Sequence, residues 1–246
     1  MAVQDYFSYL LNPLELLRTK KVLQVNPTVV SQRAEPVETK LTVYDYNTDR
    51  LDIKALTKVA DCFPYIDPQT VSWINVDGLR KDDVEAICKH FGVHYLITED
   101  ILSLGQRPKM DEIDGLLFCL LNMLYFNDKD SAVEIEQISI VLGKNFVISF
   151  QEDATRDVFN PLRERLKVGT TKVRQNGADF LFYALIDMIV DNYYVVMEKL
   201  GEKIEGLEED IVRNANTRSL AKINMLRKEM IILIRCVALV RELVYG

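Results

Sequence analysis

Closely spaced cysteine pairs are missing from this sequence. Its four cysteines lie far apart, each among apolar neighbours: Cys62, Cys88, Cys119 and Cys236. Zinc knuckles and paired-cysteine redox motifs both need close spacing, so neither kind of site is expected. We therefore predict four buried free thiols in a reducing cytosol.

Long apolar runs are missing as well. No stretch reaches the ~18–20 uninterrupted apolar residues that a membrane helix requires. The nearest candidate, Met230 to Val240, is short and contains Arg235. The N-terminal residues also lack the basic start and apolar run of a signal peptide. We therefore expect a soluble chain that itself crosses no bilayer.

An excess of basic residues is absent, since 37 acidic residues outnumber 30 basic ones and give a formal net charge of −7. Nucleic-acid binding needs a clustered cationic surface, so nucleic acid is not expected as a partner. The acidic balance is compatible with attracting cations, although it also serves solubility. Glycine-rich phosphate loops, nucleophile elbows and nucleophile–base pairs are all missing. No catalytic residue is predicted, and the chain is not expected to be an enzyme.

Histidine occurs only twice, at His90 and His94. Together with Cys88 the two imidazoles could bind a metal if all three shared one helix. Gly92 lies between them and is placed to end that helix, so the side chains should diverge. Two polar residues at the rim of the fold are therefore favoured over a zinc site.

The remaining patterns predict a mixed α/β fold in the first two-thirds of the chain. Lys81 to His90 has the apolar spacing of a helix. Alternating or continuous apolar residues predict strands, one of them central and buried on both faces, and a hairpin that turns at Gly143-Lys144-Asn145. The strand segments are Leu41–Tyr46, Val71–Val76, Leu116–Phe126 (the central strand) and Ile135–Phe150 (the hairpin).

Two long helical patterns follow, from about Ala178 to Arg213 and from Leu220 to Val244, with a break at Asn214–Thr217. So short a link predicts an antiparallel helical hairpin. The predicted fold class is thus α/β (α+β): a mixed sheet sandwiched by helices, followed by a long antiparallel helical hairpin. The predicted domains are residues 1–175 and 176–246, and the first ~40 residues carry the weakest pattern.

The tip of the hairpin is strongly charged. It can be interpreted as a solvated face with salt bridges across the hairpin, or as an acidic cluster that concentrates cations. The acidic residues before the break are Glu202, Glu205, Glu208, Glu209 and Asp210, and the basic residues after it are Arg218, Lys222, Arg227 and Lys228.

Adjacent carboxylates occur at Glu99 and Asp100, directly after Thr98. One interpretation is that Thr98 caps a short helix and the two carboxylates favour its positive N-terminal end. The other is that the carboxylates point outward from the start of that helix as hard oxygen ligands for Mg²⁺ or Ca²⁺.

Asp187 interrupts an apolar run within the first long helix. Burying an ionised carboxylate is costly unless it is paired, bound to a metal or turned outward. Asp191, one helical turn later, makes an outward-facing acidic stripe possible.

Taken in order, these motifs resemble the cytosolic domain of the CorA family of magnesium channels, from about Val71 to the C-terminus. The matching segments are Trp73-Ile-Asn, Phe91-Gly-Val-His-Tyr-Leu-Ile-Thr-Glu-Asp-Ile-Leu102, Gln106-Arg-Pro-Lys109, Glu136-Gln-Ile-Ser139, Phe150-Gln-Glu152, Val158-Phe-Asn-Pro-Leu-Arg-Glu-Arg165, Ala178-Asp-Phe-Leu-Phe-Tyr-Ala-Leu-Ile-Asp187 and Glu198-Lys199.

The resemblance implies an α/β sandwich with two acid-rich helices, assembled as a homopentamer in the full-length protein. It also implies a stalk helix and two membrane helices, with a Gly-Met-Asn motif between them, which would follow Gly246. This domain would then lie on the cytoplasmic side of the cell membrane, and transport by this chain alone is not expected.

The resemblance further implies that Glu99, Asp100 and Asp187 are ligands of regulatory Mg²⁺, facing an aspartate on a neighbouring subunit's stalk. The expected function is a cytosolic domain that senses Mg²⁺ and gates the pore. Two alternatives stay open: a related Co²⁺, Ni²⁺ or Zn²⁺ transporter, and a scaffold whose helical hairpin docks partner helices.

Overall fold

The computed structural model describes residues 38–214 and 217–245. Most of the weakly patterned first ~40 residues therefore lie outside the described part of the chain. Seven strands form a single sheet there: β1 (Lys40–Tyr46), β2 (Leu51–Leu56), β3 (Val71–Asp77), β4 (Lys109–Ile113), β5 (Leu116–Asn127), β6 (Ala132–Leu142) and β7 (Phe146–Gln151). Their order is β2-β1-β3-β7-β6-β5-β4. Only β3 and β7 run parallel, so the predicted mixed sheet is confirmed.

Helices cover both faces of the sheet. They are α1 (Lys81–His90), α2 (Tyr95–Leu102), α3 (Asn160–Lys167), α4 (Lys172–Gln175), α5 (Ala178–Asn214) and α6 (Thr217–Tyr245). One hydrophobic core lies under α1 and α2, and a second lies under α3 to α6. The sandwich predicted from the sequence is confirmed.

Successive side chains along a strand point to opposite faces of the sheet, so the strands contribute residues to both cores. In β3, Trp73 faces the core under α5 whereas Ile74 faces the core under α2. β5 is buried on both faces from Phe118 to Leu121, as its continuous apolar run predicts. The prediction that β5 is central is wrong, because β4 alone lies outside it and β5 is second from the edge. A long apolar run indicates that a strand is buried on both faces. Helices cover both faces of this sheet, so a strand can be buried in this way at any position in the strand order.

The hairpin of β6 and β7 is confirmed, with Leu142 paired to Val147 across the turn. Gly143 has to be glycine there, since a Cβ atom would come within 2.3 Å of the Phe146 ring. β7 then returns beside β3. A buried relay links these two strands: the Trp73 indole donates to Ser149 Oγ at 2.9 Å, and that hydroxyl donates to Asn75 Oδ1 at 2.8 Å.

The four cysteines are free and buried, which confirms the prediction of unpaired thiols. Burial raises the pKa of the Cys62 thiol to about 12, so this thiol stays protonated. Such a group packs as a small apolar side chain.

The first half of α5 is a core helix. Leu181, Leu185 and Ile189 recur every four residues and are fully buried against the sheet. The helix is also tied to β5, because Asn192 Nδ2 and the Tyr193 hydroxyl donate to the carbonyl oxygens of Leu124 and Asn122.

The helical segment Ala178–Arg213 is long and apolar enough to cross a membrane, by length and composition only. An 18-residue window within it has a mean hydropathy of 1.4, and 44% of that window is buried inside the fold. The expectation that Met230–Val240 is the nearest candidate is therefore wrong. Asp187 interrupts the apolar run in α5 but leaves its average high. Packing of one apolar face on the sheet accounts for this composition.

α5 and α6 form the predicted antiparallel hairpin. Lys203 on α5 lies 2.7 Å from Glu229 on α6, and Lys222 lies 2.6 Å from Asp210 nearer the tip. These contacts confirm salt bridges across the hairpin. Lys203 also donates to the carbonyl oxygen of Ser131, in the turn between β5 and β6, so one ammonium group connects both helices to the sheet.

We predict that Glu229→Ala destabilises the fold by about 2–3 kcal/mol, because it leaves the partly buried Lys203 without its carboxylate partner. Urea unfolding followed by circular dichroism measures the change. Glu205→Ala is the matched control, since Glu205 is an exposed glutamate of the same hairpin and should change stability by less than about 0.5 kcal/mol. Equal effects of the two substitutions would show that the Lys203 contact does not stabilise the hairpin.

Candidate metal site

α2 carries the first pair of candidate ligands, but near its C-terminal end. The His94 imidazole caps the helix by accepting a hydrogen bond from the Leu96 amide at 3.3 Å. Thr98 is buried inside the helix, where its hydroxyl donates to the His94 carbonyl at 3.4 Å. The prediction that Thr98 caps a helix beginning at Glu99 and Asp100 is therefore wrong. A histidine side chain supplied the cap one turn earlier.

This shift reverses the electrostatics of the two carboxylates. The C-terminal end of a helix carries partial negative charge, which disfavours nearby anions. Asp100 is compensated by Lys109, whose Nζ lies 2.6 Å from Asp100 Oδ2 and 3.2 Å from Asp111 Oδ2. Glu99 is exposed and makes no salt bridge with the described residues.

Gln137 fixes the backbone around Asp100. Its side-chain amide donates to the carbonyl oxygens of Asp100 at 3.2 Å and Ser103 at 2.9 Å. Its Oε1 accepts from the Gln106 amide at 3.3 Å. This buried side chain therefore holds both the end of α2 and the segment that leads into β4.

Asp187 lies on the outer side of α5. It is partly buried, and its Oδ1 accepts a long hydrogen bond of 3.4 Å from the Tyr183 hydroxyl one turn earlier. Within the described part of the chain it has no cationic partner. Asp191 is exposed one turn later, as an outward-facing stripe would require.

The sheet separates these candidates. α2 packs on the core that contains Ile74, and α5 packs on the core that contains Trp73, so Asp100 and Asp187 belong to helices on opposite faces. Among residues 38–214 and 217–245, no three His, Cys, Asp or Glu side chains lie together as a set that could hold a metal ion. One chain brings together Glu99 and Asp100 but not Asp187.

The two histidines diverge, as predicted from Gly92. That glycine adopts φ +71° and ends α1. His90 stacks on Phe63 at 4.0 Å between ring centroids, and its Nε2 lies 3.0 Å from the Phe63 carbonyl oxygen. His94 serves as the α2 cap, so the two imidazoles and Cys88 do not form a metal site.

Glu136, next to Gln137 on β6, points to the opposite face and holds a different loop. Its Oε1 accepts from the Glu152 amide at 2.6 Å and the Asp153 amide at 2.8 Å. Its Oε2 is buried and has no hydrogen-bond partner among the described residues. Burial raises the pKa of Glu136 from 4.5 to about 7, although the two amides partly oppose the shift.

A surface cavity of about 420 Å³ lies elsewhere, between the β4–β5 turn, the β6–β7 turn and the start of α5. Glu112, Lys144 and Asp179 supply its charged lining, and none of the three candidate ligands reaches it. The cavity is therefore separate from the candidate metal ligands.

The donor chemistry fits Mg²⁺, since carboxylate oxygens are hard ligands and Mg²⁺ is commonly held by only one or two of them with water completing its shell. The arrangement in one chain fits less fully. Asp187 is available, Glu99 is available but exposed, and Asp100 is already neutralised by Lys109. The candidate ligands of each chain thus form two separate groups, Glu99 with Asp100 and Asp187 alone, which are called half-sites below.

The sequence of the chain matches a known protein family. The sequence model described as "CorA-like Mg2+ transporter protein" matches residues 68–245, most of the chain. The chain belongs to the CorA-like Mg²⁺ transporter family. Its resemblance to this family, drawn from ordered motifs alone, is confirmed.

One relative in the family is the "Cobalt/magnesium transport protein CorA" of Thermotoga maritima, which is 33% identical over 204 residues. The match covers 82% of this chain and 58% of the relative, so the chain spans little more than half the length of that protein.

Solved structures share the fold. The soluble domain of CorA from Methanocaldococcus jannaschii superimposes with a TM-score of 0.65 at 14% identity, covering 82% of this chain and 76% of the other. The cytoplasmic domain of ZntB from Vibrio parahaemolyticus gives a TM-score of 0.60 at 13% identity, covering 83% and 78%. At such identities the likeness shows the fold alone.

Sequence reasoning missed the residues that organise α2. Lys109 appeared only as the last letter of a motif, and nothing in its spacing indicates a contact with Asp100. Glu136 and Gln137 gave a clearer signal, since two adjacent polar residues in an otherwise apolar strand must be satisfied on opposite faces. Such a pattern predicts buried side chains that hydrogen-bond to nearby backbone, and the structure shows which loops they bind.

The raised pKa of Glu136 predicts a pH-dependent stability. The folded state binds this proton more tightly than the unfolded state, so the stabilisation is complete below about pH 4.5 and is lost as pH rises through about 7. Glu136→Gln keeps an oxygen for the two amides and removes the ionisation. Between pH 5 and pH 8 the wild type should lose about 2 kcal/mol of unfolding free energy relative to this variant, measured by urea unfolding.

Glu112→Gln is the control for that comparison, because Glu112 is exposed and should leave the pH profile of the wild type unchanged. Parallel profiles for the wild type and Glu136→Gln would rule out a titration of Glu136 near neutral pH.

Proposed function

We propose that the chain is the cytosolic regulatory domain of a CorA-like Mg²⁺ channel and senses Mg²⁺ through acidic sites between subunits. Glu99, Asp100 and Asp187 are the proposed ligands, and the whole protein is proposed to be a membrane-embedded homopentamer with this domain on the cytoplasmic side. Because the chain covers 58% of the Thermotoga maritima relative, transport itself also belongs to the proposal.

Asp187 carries the proposal. A partly buried carboxylate with a phenol at 3.4 Å, and without a cationic partner in the described residues, keeps an oxygen atom that can bind a metal ion. Asp187 and Asp100 lie on opposite sides of the sheet. This placement supports metal sites in which another subunit supplies the remaining ligands. A site within one chain would need both residues on the same face.

Exposed apolar side chains on the hairpin support burial against other protein. Patches of this kind on a soluble surface mark interaction sites. Tyr183 and Tyr194 lie on the same side of α5 as Asp187, at spacings of one and two turns. The exposed apolar residues are Tyr183, Tyr194, Val195, Met197 and Val212 on α5 and Leu220, Ile223, Met225, Met230, Ile231, Ile234 and Val237 on α6.

Electrostatics supplies the proposed gating mechanism. Carboxylates that face one another across a subunit interface repel, and a divalent cation between them cancels the repulsion and stabilises the symmetric closed arrangement. When cytosolic Mg²⁺ falls, the ion dissociates and the subunits loosen toward conducting states. The coupling arises because the closed state binds the ion more tightly than the open state.

The ligand set favours Mg²⁺ over softer metals. Co²⁺, Ni²⁺ and Zn²⁺ sites generally use imidazole or thiolate ligands. Both histidines of this chain are engaged elsewhere, and the four thiols are buried. A scaffold role would explain the apolar hairpin surface but gives no reason for an unpaired carboxylate at Asp187.

We predict that millimolar Mg²⁺ raises the melting temperature of a longer form of the protein that includes the proposed stalk. At ten times the dissociation constant the stabilisation is about 1.4 kcal/mol, or a shift of about 3–5 °C for a domain of this size. Asp100→Asn with Asp187→Asn should abolish the shift, because the two half-sites then lose their charge. Differential scanning fluorimetry with and without Mg²⁺ measures it.

Asp191→Asn with Glu112→Gln is the matched control, since it removes two exposed carboxylates, one on α5 beside Asp187 and the other on β4. This variant should respond to Mg²⁺ like the wild type. A normal response in the Asp100/Asp187 double variant would show that these residues do not bind the ion.

A further inference from the structure

The contact between Lys109 and Asp100 affects how tightly the proposed site can bind a divalent ion. The ammonium lies 2.6 Å from one carboxylate oxygen of Asp100, and the two side chains are 36% and 19% exposed. The pair is therefore more sheltered than a surface salt bridge. A divalent cation approaching Asp100 meets a carboxylate that already has a cation.

The pair is held by the fold rather than by chance contact of two flexible side chains. Lys109 begins β4 opposite Leu120, so it projects from the face of the sheet that α2 covers. Its Nζ also lies 5.9 Å from the centre of the Phe118 ring, which favours a cation at that place. Gln137 fixes the end of α2, which carries Asp100, and the Gln106 backbone, which leads into Lys109.

A second acceptor stands beside the first. Asp111, two residues along β4, places Oδ2 at 3.2 Å from the same ammonium. Lys109 can therefore leave Asp100 and keep an anionic partner with only a small movement.

From these contacts we infer that Lys109 is a built-in competitor that sets the divalent-ion affinity at Asp100, with Asp111 as its alternative partner. The inference rests on the proposed function, because it assumes that Asp100 binds the ion. Binding of Mg²⁺ exchanges one cation for another: Lys109 shifts toward Asp111, and Asp100 turns to the ion. The affinity of Asp100 for the ion is thereby lowered, and Asp100 always has a cation beside it.

Lys109→Met tests this inference because it removes the charge and keeps an unbranched apolar stem. With the competitor gone, divalent ions should bind about two- to fivefold more tightly, the range that one ion pair of this kind contributes. Mn²⁺ is the probe: its paramagnetism broadens the amide NMR signals of Glu99 to Leu102, and added Mg²⁺ restores them by competition. The titration uses the chain itself and needs no transport assay.

Lys54→Met is the matched control. Lys54 also pairs with an aspartate, Asp52 at 2.7 Å, but on β2 at the opposite edge of the sheet. It removes the same unit of charge and should leave Mn²⁺ broadening at α2 as in the wild type. Lys109→Arg keeps the charge and should also bind like the wild type. Lys109→Gln serves as a second neutral variant if the methionine variant unfolds.

The outcomes separate the two hypotheses. Tighter binding in the neutral Lys109 variants, with unchanged binding in Lys54→Met, supports the inference. Equal or weaker binding in the neutral Lys109 variants overturns it, while loss of broadening in Asp100→Asn would still uphold the ligand role of Asp100. Unchanged broadening in Asp100→Asn would overturn both the ligand role and the inference.

Discussion

A seven-stranded sheet stands between the helices that carry the acidic candidates, and this separation constrains every role proposed for them. Glu99 and Asp100 lie on α2 against one core, and Asp187 lies on α5 against the other. Ligands of Mg²⁺ lie only ~2.0–2.1 Å from the ion. A single ion therefore cannot touch residues on both faces of a helix–sheet–helix sandwich. If both faces bind metal, they must bind separate ions, and water or another molecule must complete the coordination shell of each ion.

Much of the fold could be predicted because its signals are local. The turn at Gly143, the end of α1 at Gly92 and the break between α5 and α6 are all determined by neighbouring residues. The position of β5 in the sheet could not be predicted, because strand order depends on long-range pairing and a buried run looks the same at any position covered on both faces.

The candidate site shows the same division. The residue types and their resemblance to a family pointed to Glu99, Asp100 and Asp187 without any knowledge of distances. The start of α2 was predicted wrongly, because His94 provides the cap and histidine is a less usual capping residue than threonine. The pairing of Asp100 with Lys109 could not be predicted, since six residues of irregular backbone separate the end of α2 from the start of β4.

Lys203 has a mechanical consequence. Of the described hydrogen bonds that join the helical hairpin to the sheet, its bond to the Ser131 carbonyl lies farthest along α5, after those of Asn192 and Tyr193. Eleven more helical residues follow, up to and including Asn214, a length of about 16 Å at the rise of an α-helix. The part of α5 beyond Lys203 would therefore pivot about this residue. A force on the hairpin tip would reach the β5–β6 turn through this bond together with the packing of α6 on β5 and β6, and so would act on the strand that holds both Glu136 and Gln137.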